Sequence, residues 1–171
     1  ELIDEVLFLS ELESGGRVVA LGATAARPVL EEALQELEER AARAGVELRL
    51  DCDARIELGI RPRMLRVVAR NLAENAIRYA GPGVTFALEA ERAADGSVTL
   101  IGRDDGIGVE ESELPRLFER FYRSDRARAS RGTGLGLAIV KHVVTQAGGT
   151  VEARGARGRG LEVRCEFPTP L

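Results

Sequence analysis

The chain has 171 residues, 44% hydrophobic and 30% charged, which is long and apolar enough for one domain with a substantial core and excludes a disordered polyelectrolyte. A net charge of −4, no Trp and 4% aromatic residues argue against a nucleic-acid-binding protein, because basic surface and base-stacking side chains are both scarce. No apolar run reaches the roughly 18 residues of a membrane helix, and Cys52 and Cys165 lack any metal-binding spacing, so the sequence predicts two reduced thiols.

Helices and strands alternate along the first half of the chain. Apolar residues recur close to helical spacing in segment 1–16, which stops at Gly15-Gly16. We expect this segment to be the end of a helix that begins upstream of the chain. The next predicted elements are, in order, a strand over 17–22, a helix over 27–45 that begins near Pro28 and ends before Gly45, and strands over 46–52 and 54–60.

The second half continues the mixed pattern and contains one long irregular stretch of about 25 residues after Gly108. The predicted elements are a helix over 61–80, a hairpin of strands 84–92 and 97–105 around Asp95-Gly96, a helix over 134–148, and strands over 150–156 and 161–167. The simplest packing is an α+β fold, a two-layer α/β sandwich with helices on one face of a mixed, mainly antiparallel sheet.

One face of the predicted helix 61–80 carries polar side chains. Asn71, Asn75 and Arg78 are four and three residues apart and share that face, whereas the apolar residues occupy a different stripe. Asn is a poor helix former, so the two amides are either solvated surface groups or ligands. Amide oxygens suit Mg²⁺ that also binds substrate phosphates, and an adjacent Arg would complete a phosphate site.

Two glycine-rich turns flank the irregular stretch. Asp104 and Asp105 end a predicted strand just before Gly106 and Gly108. This segment is either an ordinary turn or a binding site in which a carboxylate accepts a hydrogen bond from the exocyclic amine of adenine and the glycines let the flat ring approach the backbone. Three glycines then precede a predicted helix, whose exposed N–H groups could bind phosphate: Gly132, Gly134 and Gly136. The dinucleotide-binding, Walker and protein-kinase motifs do not occur around them.

Six arginines stand between Arg116 and Arg131 against Glu119 and Asp125. By itself such a run is as consistent with a solvated surface as with a phosphate-binding loop.

The order of these elements resembles the catalytic ATP-binding domain of bacterial sensor histidine kinases. The matching segments are "NLAENAIRYA" (71–80), "DDGIGV" (104–109), "FERFYR" (118–123) and "GTGLGLAIVK" (132–141). The resemblance implies the Bergerat-type α/β sandwich shared with DNA gyrase and mismatch-repair ATPases. It further implies that residues 1–16 end a dimerisation helix hairpin, that residues 17–171 form the catalytic domain, and that a mobile lid over ATP spans about 109–133.

The resemblance also implies roles for individual residues. Asn75 would hold Mg²⁺ and act with Arg78 in catalysis, Asn71 and Arg78 would lie near the phosphates, and Tyr79 would line the nucleotide site. Arg78 departs from the Lys often found there. Asp104 would recognise adenine in a pocket shaped by Gly106 and Gly108. The triphosphate would be wrapped by Gly132, Thr133, Gly134, Leu135 and Gly136. In the lid, Arg123 and Arg126 would contact the phosphates, and Phe118 and Phe121 would either anchor the lid or pack in the core as ordinary side chains.

The family transfers the γ-phosphoryl group of ATP to a histidine on the dimerisation helix. The chain has one histidine, His142, inside a predicted helix and outside any phosphoacceptor pattern, so we expect it to be structural. The phosphoacceptor histidine, a membrane segment and a sensor are expected upstream of this chain. The full-length protein is expected to be a homodimer anchored in the inner membrane, with this domain in the cytoplasm and a response regulator as its partner. Alternatives are an ATPase or serine kinase of the same fold, or a nucleotide-binding docking module. Hydrolysing relatives carry a glutamate four residues before the metal-binding Asn, where this chain has Asn71.

Overall fold

The computed structural model describes residues 1–15, 19–124 and 127–170. Within these ranges the helices are α1 (Leu2–Glu13), α2 (Ala26–Gln35), α3 (Glu38–Ala44), α4 (Pro62–Tyr79) and α5 (Gly136–Gln146). The strands are β1 (Val19–Ala25), β2 (Val46–Cys52), β3 (Glu57–Ile60), β4 (Val84–Arg92), β5 (Val98–Asp104), β6 (Thr150–Gly155) and β7 (Leu161–Phe167). Two short 3-10 helices, Glu111–Arg116 and Ala127–Ala129, lie in the predicted irregular stretch.

Five strands form one sheet in the order β2-β4-β5-β7-β6. Strand β2 runs parallel to β4, and the other neighbours are antiparallel, so the prediction of a mixed, mainly antiparallel sheet is confirmed. Strands β1 and β3 form a separate antiparallel pair that the sequence did not predict. In this pair Thr24 Oγ1 donates a hydrogen bond to the Ile60 carbonyl at 2.5 Å.

One face of the large sheet is apolar and the other is charged. Phe86, Leu88 and Leu100 are buried on the face against which α4 packs, as expected from the alternation of side chains along a strand. On the opposite face Arg103 pairs with Glu89 and Glu162. The helices therefore cover a single face of the sheet, and the two-layer architecture is confirmed.

The predicted helix over 27–45 is wrong as one uninterrupted element. The Leu37 N–H donates to the Leu34 carbonyl at 2.9 Å, three residues back, and this tighter turn separates α2 from α3. Leu37 is 1% exposed, so the turn stays in the core. Strand β1 extends beyond its predicted end because Thr24 and Ala25 still pair with β3.

Helix α4 fixes the orientation of the polar face that the sequence singled out. Its core side chains are Met64, Leu65, Val68, Ala69, Leu72, Ala73 and Ala76. Because these residues pack against the sheet and the neighbouring helices, the polar residues three and four apart on the other side of α4 face away from the core. Among the described residues, no helix is long and apolar enough to cross a membrane.

Candidate functional site

A cavity of about 260 Å³ lies between the polar face of α4, the turn after β5 and the irregular stretch. Ten of the predicted site residues line it: Asn71, Asn75, Arg78, Tyr79, Asp104, Gly108, Arg123, Thr133, Gly134 and Gly136. Three do not: Gly106, Gly132 and Leu135. The structure thus brings together, in one concave space, groups that are up to 65 residues apart in sequence (71 to 136).

Asp104 forms one end of the cavity. It is 8% exposed, and its Oδ1 accepts hydrogen bonds from the backbone N–H groups of Gly106 at 2.9 Å and Leu161 at 3.3 Å. Burial raises the pKa of this carboxyl, and the two N–H donors oppose the rise because they favour the charged form. With one oxygen held by the backbone, the carboxyl has a second oxygen with which it can accept a hydrogen bond from a ligand.

The two glycines after Asp104 serve close packing, and only one of them faces the cavity. A Cβ on Gly106 would lie 2.3 Å from the Ala80 carbonyl oxygen, so Gly106 lets the turn press against the end of α4. A Cβ on Gly108 would lie 2.0 Å from the Ala156 oxygen in the β6–β7 turn. Gly108 lines the cavity and Gly106 packs behind the turn, so the role of both glycines in shaping a base pocket stays a prediction.

The polar residues of α4 form the opposite wall. Asn71 Nδ2 donates to the Val67 carbonyl at 2.8 Å, four residues back. A Cβ on Gly136 would lie 3.1 Å from Asn71 Oδ1, so the amide oxygen approaches the start of α5. Asn75 lies one turn further along the helix, and the Arg78 guanidinium pairs with the Glu1 carboxylate. Two amides and one guanidinium thus line the same wall.

The glycine segment before α5 closes the cavity. A Cβ on Gly132 would lie 2.0 Å from the Tyr79 hydroxyl oxygen, and Gly134 has a φ of 75° with its Cα side packed against the Phe121 backbone. Leu135 is fully buried, which explains why it anchors the segment and does not line the cavity. The Thr133 hydroxyl donates a hydrogen bond to the Glu5 carboxylate of α1.

The predicted lid contributes further wall. The Arg123 guanidinium donates to the carbonyls of Ala127 and Ser130, and its Nε is buried without a partner among the described residues. Phe118 packs against the core, which supports the core reading of that residue. Phe121, by contrast, is 60% exposed and has a positive φ of 61°. Arg126 lies outside the described residues.

Several cavity residues were missed by sequence reasoning. Leu161 acts through its backbone N–H, which leaves no trace in residue type, and Glu5 reaches the cavity from the other end of the sequence. The larger apolar side chains of the cavity wall are those of Ile107, Val109, Leu117, Leu137 and Leu161. The alternation of Ile107 and Val109 with the glycines is the one sequence signal that could have identified part of this wall.

Two further titratable side chains, Glu74 and His142, do not provide a free base or phosphate acceptor in the cavity. Glu74 lines the cavity but forms ion pairs with Arg40 at 2.9 Å and Arg70 at 3.3 Å. His142 does not line the cavity, and its Nε2 is buried with no partner in the described part of the chain. The expectation that His142 is structural agrees with this position.

The donor set also limits the metals that the site could hold. In residues 1–15, 19–124 and 127–170, no group of three or more His, Cys, Asp or Glu side chains is arranged to bind a metal ion. A cation in this cavity would need an amide oxygen together with oxygens from a ligand, which is a donor set typical of Mg²⁺ with a bound phosphate group.

Known proteins are similar to this chain in sequence and in fold. The circadian input-output histidine kinase CikA of Synechococcus elongatus is 32% identical over 165 residues, covering 94% of this chain and 22% of that protein. The mycobacterial sensor histidine kinase MprB superposes with a TM-score of 0.78 at 27% identity, covering 87% of this chain and 99% of that one. Full-length ShkA, solved in complex with AMPPNP, gives a TM-score of 0.83 at 27% identity, covering 98% of this chain and 35% of that one.

The chain spans 22% to 41% of the length of the first curated relatives that it matches. The model of the histidine kinase-, DNA gyrase B- and HSP90-like ATPase family matches residues 60–171, which include α4, both glycine turns and the entire cavity wall except Glu5. Since this match covers more than half of the chain, the protein belongs to the family of histidine kinase-, DNA gyrase B- and HSP90-like ATPases.

Proposed function

We propose that this chain is the ATP-binding catalytic domain of a sensor histidine kinase and that it transfers the γ-phosphoryl group of ATP to a histidine of an upstream dimerisation domain. One observation carries the proposal. A single cavity joins the buried carboxylate of Asp104 to the amide face of α4 and to the glycine start of α5. Such a cavity matches a ligand with an amine at one end and phosphates at the other.

The base would bind at the Asp104 end. The oxygen that faces away from the backbone N–H groups would accept a hydrogen bond from the exocyclic amine of adenine. Ile107, Val109 and Leu161 supply apolar surface for the ring beside that carboxylate. A buried acceptor in an apolar pocket discriminates strongly, because a base without the amine leaves the carboxylate unpaired.

The phosphates would bind at the α4 end. Arg78 and Arg123 carry the positive charge, and the N–H groups at the start of α5 point along the helix dipole, which favours an anion. Asn75, with Asn71 beside it, would hold Mg²⁺ through an amide oxygen. When bound, this ion would neutralise charge on the phosphate oxygens.

In the transfer step an imidazole nitrogen of the acceptor forms a bond to the γ-phosphorus, the bond to the β–γ bridging oxygen breaks, and ADP leaves with that electron pair. The domain positions the phosphates and balances their charge, which is most of what phosphoryl transfer requires. Water would compete poorly with the imidazole as nucleophile. Hydrolysing relatives carry a glutamate at the position of Asn71, and the amide of Asn71 cannot act as a base. Glu74 is held by two arginines.

The proposal extends to partners and place. The acceptor histidine would lie on an upstream dimerisation domain ending in α1, and the phosphoryl group would pass to a cognate response regulator. The complete protein would be a membrane-anchored homodimer with this domain in the cytoplasm. Likeness to named sensor histidine kinases over 94% of the chain supports this assignment.

A transfer assay tests the proposal. The chain, its natural upstream helical hairpin and γ-labelled ATP with Mg²⁺ should give acid-labile, base-stable phosphate on the hairpin. Removal of Mg²⁺ with EDTA should stop the transfer, and Asn75→Ala should reduce it by at least tenfold. Acid-stable label on a serine or threonine would favour the serine-kinase alternative, and rapid release of free phosphate without a hairpin would favour an ATPase.

A further inference from the structure

Helix α1 lies across the phosphate end of the cavity and presents carboxylates to it. Glu1 and Glu5 are one helical turn apart and therefore share a face. Glu1 pairs with the Arg78 guanidinium, and Glu5 lines the cavity and accepts the hydrogen bond of the Thr133 hydroxyl. The proposed function assigns a phosphate contact to Arg78, and the resemblance implies that Thr133 belongs to the segment that wraps the triphosphate.

The position of these contacts distinguishes them from ordinary surface ion pairs. The Arg78 side chain is only 19% exposed, so its charge needs a partner nearby. Burial raises the pKa of the Glu5 carboxyl, while the hydrogen bond from Thr133 opposes that rise. The Glu5 carboxylate is thus half-buried in the cavity wall, at a place where a phosphate oxygen could accept the same hydrogen bond from the Thr133 hydroxyl.

Other contacts hold α1 in this place. Leu9 and Leu12 are buried against the domain, and the Arg63 guanidinium lies 5.7 Å from the centre of the Phe8 ring. Glu13 pairs with Arg120 in the stretch between the two glycine turns. The helix is therefore docked by apolar and ionic contacts along its length, and its first turn is the part that reaches the cavity.

From this arrangement we propose that the carboxylates of Glu1 and Glu5 compete with the phosphates of the nucleotide for Arg78 and Thr133, so that docking of α1 is autoinhibitory. The inference rests on the proposed function. When the phosphates bind, Arg78 and Thr133 exchange carboxylate oxygens for phosphate oxygens, and the first turn of α1 loses its ionic contacts. By linkage, whatever holds α1 on the domain weakens ATP binding, and ATP loosens α1 by the same factor.

The magnitude follows from the strength of the competing contacts. A partly exposed ion pair contributes little, so removal of either carboxylate should raise ATP affinity by roughly two- to fivefold, and removal of both by roughly tenfold. Adenosine has no phosphates and does not need Arg78 or Thr133. Its affinity should therefore stay the same.

Calorimetric titrations of Glu1→Ala, Glu5→Ala and the double variant test the proposal with three ligands: ATP, inorganic tripolyphosphate and adenosine. Alanine is a strong helix former, so α1 should keep its structure. The matched control is Glu11→Ala, which removes the same charge from the same helix at an exposed position that does not line the cavity. Tighter binding of ATP and tripolyphosphate, with adenosine and the control unchanged, is the expected result.

Other outcomes separate the two proposals. If the wild-type chain binds ATP and the double variant binds it no more tightly, the competition is refuted and the nucleotide site stands. An equal gain in ATP affinity in Glu11→Ala would show that the effect comes from the net charge of the helix, and this result would also refute the competition. If neither protein binds ATP or adenosine, the proposed function fails, and the competition fails with it.

Discussion

Replacement of Asp104 by Asn tests the base end of the cavity. The variant keeps the shape of the side chain, and its amide oxygen can still accept the N–H groups of Gly106 and Leu161. The amide nitrogen then faces the cavity, where it meets the adenine amine donor to donor. A hydrogen bond to a charged group contributes about 1.5–3 kcal/mol, so its loss should weaken ATP binding by roughly ten- to hundredfold.

A change of base sharpens the test. Inosine triphosphate carries a carbonyl oxygen where ATP has the amine, so it can accept a hydrogen bond from the side-chain amide introduced by Asp104→Asn. Calorimetry should show a large preference for ATP in the wild type and a reduced or reversed preference in the variant. Asp105→Asn is the matched control, because the Asp105 carboxylate accepts the Thr85 N–H at 2.7 Å and does not line the cavity. An unchanged ATP-to-ITP ratio in Asp104→Asn would refute the placement of the base.

The same variant has a stability signature whose sign follows from burial. Because burial raises the Asp104 pKa in the folded state, this carboxyl stabilises the fold most below the unfolded pKa of about 3.9, and the contribution is lost as the pH rises through the folded pKa. Asp104→Asn should therefore unfold in urea at an equal or higher midpoint than wild type at pH 7, and its advantage should shrink on acidification. A variant less stable than wild type at pH 7 would show that the carboxylate charge supports the fold.

Two glycine replacements test how the cavity walls are held. Gly132→Ala should weaken ATP binding by about five- to hundredfold, because its Cβ would lie 2.0 Å from the Tyr79 hydroxyl oxygen and such overpacking costs roughly 1–3 kcal/mol. The added substitution Tyr79→Phe removes that oxygen and leaves the nearest ring carbon at 3.2 Å, so a titration of the double variant should show part of the ATP affinity restored. Gly160→Ala should lower the urea midpoint more than Gly158→Ala does, because both have φ near 73° to 74° but only the Gly160 Cβ would meet a backbone oxygen, that of Asp104, at 1.9 Å. Equal losses in the second pair would mean that backbone strain alone, and not the close approach, sets the cost.

Much of the fold was predictable because its signals are local. The period-two pattern of β2, β4 and β7 indicated their bounds to the residue, and Pro62 with the apolar stripe of α4 indicated that helix within one residue. The break between α2 and α3 was not predictable. It consists of one hydrogen bond from the Leu37 N–H to the carbonyl three residues earlier, and this bond leaves the spacing of the apolar residues almost unchanged. The pairing of β1 with β3 was missed because strand partners are chosen by tertiary packing.

The site was predictable to the extent that it depends on side-chain chemistry. The amides of α4, the acid after β5 and the glycines before α5 were identified by type and spacing, and the cavity contains members of all three groups. Contributions made by backbone atoms were not predictable, as with the Leu161 N–H on Asp104. Nor was the approach of Glu5, which lies 128 residues from Thr133.

The acids of the cavity wall are engaged in three different ways. Three carboxylates line the cavity in the described part of the chain: Asp104 accepts backbone N–H groups, Glu74 pairs with two arginines, and Glu5 accepts the Thr133 hydroxyl. None of them stands at the position of Asn71, where hydrolysing relatives carry a glutamate. Under the proposed function a neutral imidazole brings its own lone pair, so phosphoryl transfer does not depend on a carboxylate at that position.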